Sequence, residues 1–550
     1  MQKFRSFLSY YNQLLKPEGS YFAIAIIYGI AVSIITLAIP ISVQALVNTI
    51  AFGVLVQPLV ILTVLLLSLL IISSILKALQ TFIIEIFQRH FFIRISTDIA
   101  ENIMMSGKDE LSKHYGVELV NRYFDIMTVQ KKATTLITGG VSLVLQIVLG
   151  LILLAFYHPY FLVFDIILIS LLAGIWFLFG SRAMKTAVEE SDRKYKLAYW
   201  LEEIARESTF FKRQKYKKKV YEVTDSKVYD YIGSRKDHFK LLFIQIVLLL
   251  ISYSFLSALI LGLGGFLVIS GELSLGQLVA AELIVTVILA GLSGAGKYLE
   301  DFYDLYAALS KISSLYKLKP AENLKQEIVE IKGKDLLVKF DNETLNFEHG
   351  KSYLLQSKFY SSKLSFIDMI RGFTDESRYK VQFGNRSYEE LCAFQVNDFI
   401  SVIKEPHFFY GTLFENLTFG LEKISIKKVE EVLEVVDLQD MITALPDGLD
   451  TEINPAGYPL WPSQLIRLTI AREILVGTKV IVAVDVFEGL EKKRRRSILK
   501  YLIDQNITLI VLSNQNLEGF DFDGYYFLNG EEIVSCDSGR ELSDVRRDHE

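Results

Sequence analysis

Residues 350–365 read GKSYLLQSKFYSSKLS. A buried strand, a turn and a lysine that opens a helix form the layout of a phosphate-binding loop, whose working pattern is G-x-x-x-x-G-K-[ST]. The glycines matter because backbone N–H groups must approach the phosphates closely. Here the two glycine places hold Ser357 and Ser362, the lysine is present as Lys363, and the Ser/Thr place is Leu364. The layout is kept and the chemistry is altered. Few other groups offer chemistry. Asp165 and Glu282 lie in long apolar runs, with Gln146 and Gln245 as polar companions. A carboxylate within a membrane span is by default a functional-site candidate, and contact with interfacial water is the plainer role for both. Cys392 and Cys536 give no disulfide framework and no metal spacing, so reduced structural thiols are expected and no metal site is.

These groups must be positioned by two different kinds of chain. The sequence has 550 residues, 51% of them hydrophobic, and a mean hydropathy of +0.33. The apolar excess is concentrated before residue 300. A helix of about 20 apolar residues crosses the hydrocarbon core, and six segments qualify: 21–47, 54–78, 134–157, 161–180, 241–270 and 276–298. The links at 48–53, 158–160 and 270–274 contain no Lys or Arg, whereas 77–132 and 181–240 are long and basic. The positive-inside rule therefore predicts a multi-pass protein with the long links and both termini in the cytoplasm. Lys217–Lys219 read as a solvated charged face, with contact to anionic membrane lipid as the alternative. Ahead of the first span, residues 1–20 place Phe4, Leu8, Tyr11 and Leu15 on one helical face, which suits an amphipathic interfacial helix. The first apolar run is too long for a signal h-region and lacks a small-residue cleavage pattern, so no cleavable signal is expected.

From about residue 325 the composition turns soluble. Apolar runs at 336–340, 353–356, 399–403, 480–484 and 508–512 alternate with helical stretches. Continuous apolar runs bounded by turns predict parallel strands buried on both faces, and the alternation predicts an α/β nucleotide-binding type of domain over 325–550. The net charge of −5 is small and argues neither for nor against a polyanionic partner; nucleic acid is not expected as a partner.

Four further stretches fall in order along the chain. They are GVELVNRYFDIMTVQ at 116–130, EPHFFYGTLFENLTFG at 405–420, LPDGLDTEI at 445–453 and QLIRLTIAREIL at 464–475. With the six spans and the loop at 350–365, they resemble a half-transporter of the ABC exporter family, and the first of them resembles the peptide- and toxin-secreting members. The likeness runs over nearly the whole chain. It implies an all-α ABC transporter type-1 membrane domain over 21–320, followed by an α/β P-loop NTPase-like ABC domain over 325–550. It also implies ATP with Mg²⁺, and a second half-transporter as partner.

The resemblance assigns roles to positions, and many of those positions are changed. The Q-loop glutamine place is Lys404. The signature, usually LSGGQ, is Leu460, Trp461, Pro462, Ser463 and Gln464. Proline has no N–H to give to a phosphate. The Walker B aspartate is Asp485, but the glutamate that activates water is replaced by Val486, which cannot act as a base. Glu488 reaches that place only through a shifted turn. The switch histidine is Asn514, and Leu364 offers no oxygen to a metal, Ser365 doing so only with the register slipped. The residual nucleotide set implied is Ser362, Lys363, Ser365, Lys404, Ser463, Gln464 and Asp485, with ATP and Mg²⁺ bound weakly or not at all and no catalytic residue assigned. The expectation is a pseudo-ATPase half of an exporter in a bacterial cytoplasmic (inner) membrane, paired with an active half and moving an unidentified substrate outward. A membrane scaffold or regulator with the same fold, and a homodimeric ATP-driven exporter with divergent motifs, are the alternatives.

Overall fold

Long apolar runs leave backbone polar groups no water to bond, so they close those bonds internally as helix. The computed structural model describes residues 2–36, 38–51, 56–106, 120–318, 328–340, 343–371, 379–515, 517, 520–529 and 532–549. The chain divides into two units, Met1–Pro320 and Ala321–Glu550. In the first, six helices among the described residues are long and apolar enough to cross a membrane: Ser6–Val47, Leu59–Met105, Arg122–Phe156, Pro159–Arg206, Gln214–Ile269 and Gly276–Leu315. Their outward faces carry apolar side chains such as Ile61, Val64, Leu65 and Phe177.

Helices Pro159–Arg206 and Gln214–Ile269 have 48 and 56 residues. At 1.5 Å per residue they extend about 72 and about 84 Å, far more than the roughly 30 Å of hydrocarbon. Between them the chain reverses through the short helix Ser208–Phe211 and an extended Arg213. Beyond the apolar stretch the two are cross-tied. Arg193 bonds Asp230 at 3.3 Å, Arg235 bonds Glu190 at 3.0 Å, and the Trp200 indole N–H donates to Thr224 Oγ1 at 2.9 Å. The turn-like stretch that the sequence predicts near 106–122 lies largely outside the described residues, which omit 107–119. Lys217–Lys219 sit some 22 residues from residue 241, about 33 Å along the helix. That is about three Debye lengths from the start of the expected span, and Lys218 and Lys219 both face Glu222. The solvated-face reading fits this geometry.

Further helices of this unit are joined by partly buried ion pairs. Lys132 meets Asp301 at 2.6 Å and Asp304 at 2.8 Å, and Lys311 pairs with Asp192. Arg94 ties the N-terminal segment down through Glu18 at 3.0 Å and the Leu14 carbonyl at 2.6 Å. In helix Gln2–Tyr10 the protein-facing residues are Phe7, against Phe302 at 5.2 Å, and Tyr10, against Tyr306 at 6.0 Å, while Leu8 is exposed. The apolar stripe expected through Leu8 and Leu15 does not run straight, because a π-helical turn at Tyr11–Leu15 shifts the angular register. Asp165 is buried with Oδ1 unpartnered, Glu282 is half-buried, and the buried Gln245 amide and Tyr303 hydroxyl bond each other.

The second unit is built on strands β1 (Leu336–Phe340), β2 (Glu343–Phe347), β3 (Ser352–Ser357), β4 (Tyr379–Phe383), β5 (Arg386–Ser387) and β6 (Ile400–Ile403), followed by β7 (Gly411–Thr412), β8 (Glu452–Ile453), β9 (Val480–Val484), β10 (Thr508–Leu512), β11 (Gly524–Asn529) and β12 (Glu532–Cys536). The central sheet runs β12-β11-β3-β10-β9-β6, parallel except for the antiparallel edge strand β12. A second, antiparallel sheet runs β2-β1-β4-β5. Strands β3, β9 and β10 are buried on both faces, and alternate residues feed opposite cores. Leu354, Ile481, Ala483, Leu509 and Val511 face one core, and Leu355, Val480, Val482, Ile510 and Leu512 face the other. The architecture is the expected one: an all-α unit of six membrane-length helices, then an α/β domain with a buried parallel sheet.

Candidate functional site

The site residues gather at the carboxyl ends of β3, β9 and β10, where a parallel sheet opens to a ligand. Strand β3 ends at Ser357 and helix Tyr360–Ile370 begins three residues later, so only Lys358 and Phe359 connect them. Ser362 and Lys363 already lie in the first turn of the helix and are buried. The Ser362 N–H donates to the Phe359 carbonyl at 3.1 Å. The Ser357 N–H donates to Asn514 Oδ1 at 3.1 Å, and the Ser357 hydroxyl to the Phe359 carbonyl at 2.8 Å. Phe359 and Tyr360 are each half exposed at the mouth of the connection.

Lys363 Nζ lies 2.7 Å from Asp485 Oδ1. The lysine side chain is 3% exposed and that of the aspartate 34%. Asp485 follows β9 in the left-handed region at φ 54°, which Asp tolerates better than most residues. Its N–H bonds the Leu512 carbonyl at 2.8 Å. The conformation turns the carboxylate toward the loop and sends the next side chain inward. Val486 is 2% exposed and belongs to the main core. Glu488 accepts the Ser513 hydroxyl at 2.6 Å. Asn514 is held from two sides, its Oδ1 by Ser357 and its carbonyl by Arg546 of helix Gly539–His549.

Lys404 lies with Nζ 5.4 Å from the Tyr360 ring centroid and 3.6 Å from Glu405. The hydrogen bond to Tyr360 pushes its ammonium pKa up. The structure thus brings Ser362, Lys363, Asp485 and Lys404 around one helix start. Ser365 is exposed. Two residues past Lys363 at 3.6 residues per turn, it lies on roughly the opposite side of the helix, so a slipped register is not what this structure has.

Ser463 and Gln464 lie on a separate helix, Pro462–Val476, with proline in its first turn, where a missing N–H costs nothing. Gln464 Oε1 accepts the Trp461 N–H at 2.7 Å, and the helix stops at Gly477, whose φ of +79° favours glycine. Trp461 and Tyr458 are 73% and 74% exposed. Arg467, almost fully buried, fixes this helix start by donating to the Ser463 carbonyl at 3.2 Å and the Val436 carbonyl at 3.2 Å, and to Asp437. Sequence reasoning missed Arg467 and Arg546, since Val436, Asp437 and Asn514, which they reach, lie about thirty residues away and no local spacing announces them. It also missed Ser513, whose position beside Asn514 was the available signal. Both cysteines are buried, and burial pushes the Cys536 thiol pKa up, as suits an inert structural thiol.

No family model matches the chain. The chain is 25% identical over 280 residues to the lactococcin-G-processing and transport ATP-binding protein LagD of Lactococcus lactis, covering 47% of this chain and 39% of that protein. It is 23% identical over 277 residues to the ATP-dependent permease MDL1 of Candida albicans, covering 46% and 40%. The matches thus span less than half the length of these relatives. Among solved structures, that of a bacterial Atm1-family ABC exporter with ATP bound superposes with a TM-score of 0.81 at 13% identity, over 98% of this chain and 97% of that one. In sequence the chain resembles the ABC exporter half-transporters, and its fold is theirs.

Proposed function

We propose that the chain is one half of an ABC-type exporter whose soluble domain has lost its own hydrolytic chemistry, and that it works beside a second half-transporter with intact motifs. The observation that carries this is Val486. The position next to Asp485 that should present a carboxylate to water instead presents a valine to the core. The nearest substitute, Glu488, is engaged by Ser513. Removal of a general base typically costs a factor of about 10²–10⁴, and the switch and signature places differ too. What is retained supports a structural part in transport: six membrane-length helices, a mainly parallel six-stranded sheet and the helix Pro462–Val476. The chain then supplies half of the transmembrane pathway and a domain for its partner to close against. The basic links favour cytoplasmic termini, and the likeness to LagD favours a bacterial inner membrane.

The test is co-purification from the native host, identification of the partner, and ATPase assays in lipid on the chain alone and on the complex. The expected result is turnover by the complex and none above background by the chain. Turnover by the chain alone that Lys363→Ala abolishes would sink the proposal.

A further inference from the structure

We infer that the phosphate-loop site of this chain is filled by its own side chains and takes no nucleotide. The fold implies ATP and Mg²⁺ at this place, and the residues present do not fit them. A phosphate needs a concave run of free N–H groups, and a Mg²⁺ ion needs oxygen ligands beside it. Two residues connect β3 to its helix, too few for a cradle, and the Ser357 and Ser362 N–H groups bond Asn514 and Phe359. The cation that would meet a phosphate is 2.7 Å from Asp485 and nearly buried. The same contact occupies one oxygen of the carboxylate that would face the metal. Leu364 stands in the hydroxyl place, and Tyr360, with Lys404 against it, stands at the mouth. Lys363 is therefore a structural cation, its charge spent on holding the end of β9 to the helix after β3.

This deepens the proposed function and rests on it in one respect. In a complex with an intact partner, the partner's phosphate loop alone would hold nucleotide, one per pair of chains.

The experiment uses the full chain in lipid nanodiscs, alone, with 8-azido-ATP and Mg²⁺ as the photoprobe and peptide mapping as the readout. The expected result is no saturable labelling of residues 350–365 at millimolar probe. Saturable labelling there, competed by ATP, overturns the inference. A misfolded chain would also fail to label, so thermal unfolding supplies a second arm. Lys363→Met and Asp485→Asn should each lower the transition of the soluble domain by about 3 °C or more, and the double variant by less than the sum of the two. A phosphate loop awaiting its ligand would lose labelling on Lys363→Met with no change in Tm, and an unchanged Tm overturns the inference. Neither arm needs the partner. If none co-purifies, the half-transporter proposal falls while the nanodisc result still stands for this chain.

Discussion

Two regions of the second unit present their side chains in different ways. At the carboxyl end of β3 the lysine, the aspartate, the switch-place asparagine and the nearest glutamate all bond inside the chain. At the start of helix Pro462–Val476, Trp461 and Ser463 face outward, and buried Arg467 holds the helix from below. One end is closed on itself and the other is presented. Buried charges gather internal partners, because a buried charge left alone is costly, whereas exposed side chains have water for a partner.

That contrast can be broken by substitution. The largest effect is expected from Val486→Glu. Returning the carboxylate puts a charge into the core, so it should lower stability by about 3–5 kcal/mol and restore no turnover; a stable, active variant would show the site to be open. Arg467→Ala should cost about 2–3 kcal/mol by stranding its buried acceptors, read as a lower unfolding midpoint together with weaker assembly with the partner. Trp461→Ala should leave the unfolding midpoint of the isolated chain within about 0.5 kcal/mol of wild type. It should weaken assembly about tenfold or more, as removal of an exposed aromatic anchor does; unchanged assembly would show the presented end to be ordinary surface. Smallest of all, Ser365→Ala should change neither stability nor labelling, because the side chain points to solvent.

The strands that carry the site were legible because they are buried on both faces. Residues 480–484 and 508–512 are unbroken apolar runs, and each forms the strand expected of it. Strands β2, β4, β5, β7, β8, β11 and β12 escaped. They mix polar with apolar residues, and β4 with β5, like β11 with β12, pair across tight local reversals rather than as long apolar runs. In the site, residue types told which chemistry was missing but not what replaced it. That Lys363 pairs with Asp485 follows from β3 and β9 flanking β10 in one sheet, a long-range fact. The short β3–helix connection was hidden for another reason. Phe359 and Tyr360 look equally at home in a loop or a helical turn, and only the capping geometry fixes where the helix starts.

The paired helices Pro159–Arg206 and Gln214–Ile269 have a mechanical consequence. A single helix of about 84 Å would bend under thermal load. Two of them, cross-tied by Arg193, Arg235 and Trp200, share the strain as a truss does. A tilt of only about 1° at one end of such a strut carries the other end roughly 1.5 Å, the rise of one helical residue. The pair thus has the geometry of a rigid strut that joins the Ser208–Phe211 reversal to the apolar end.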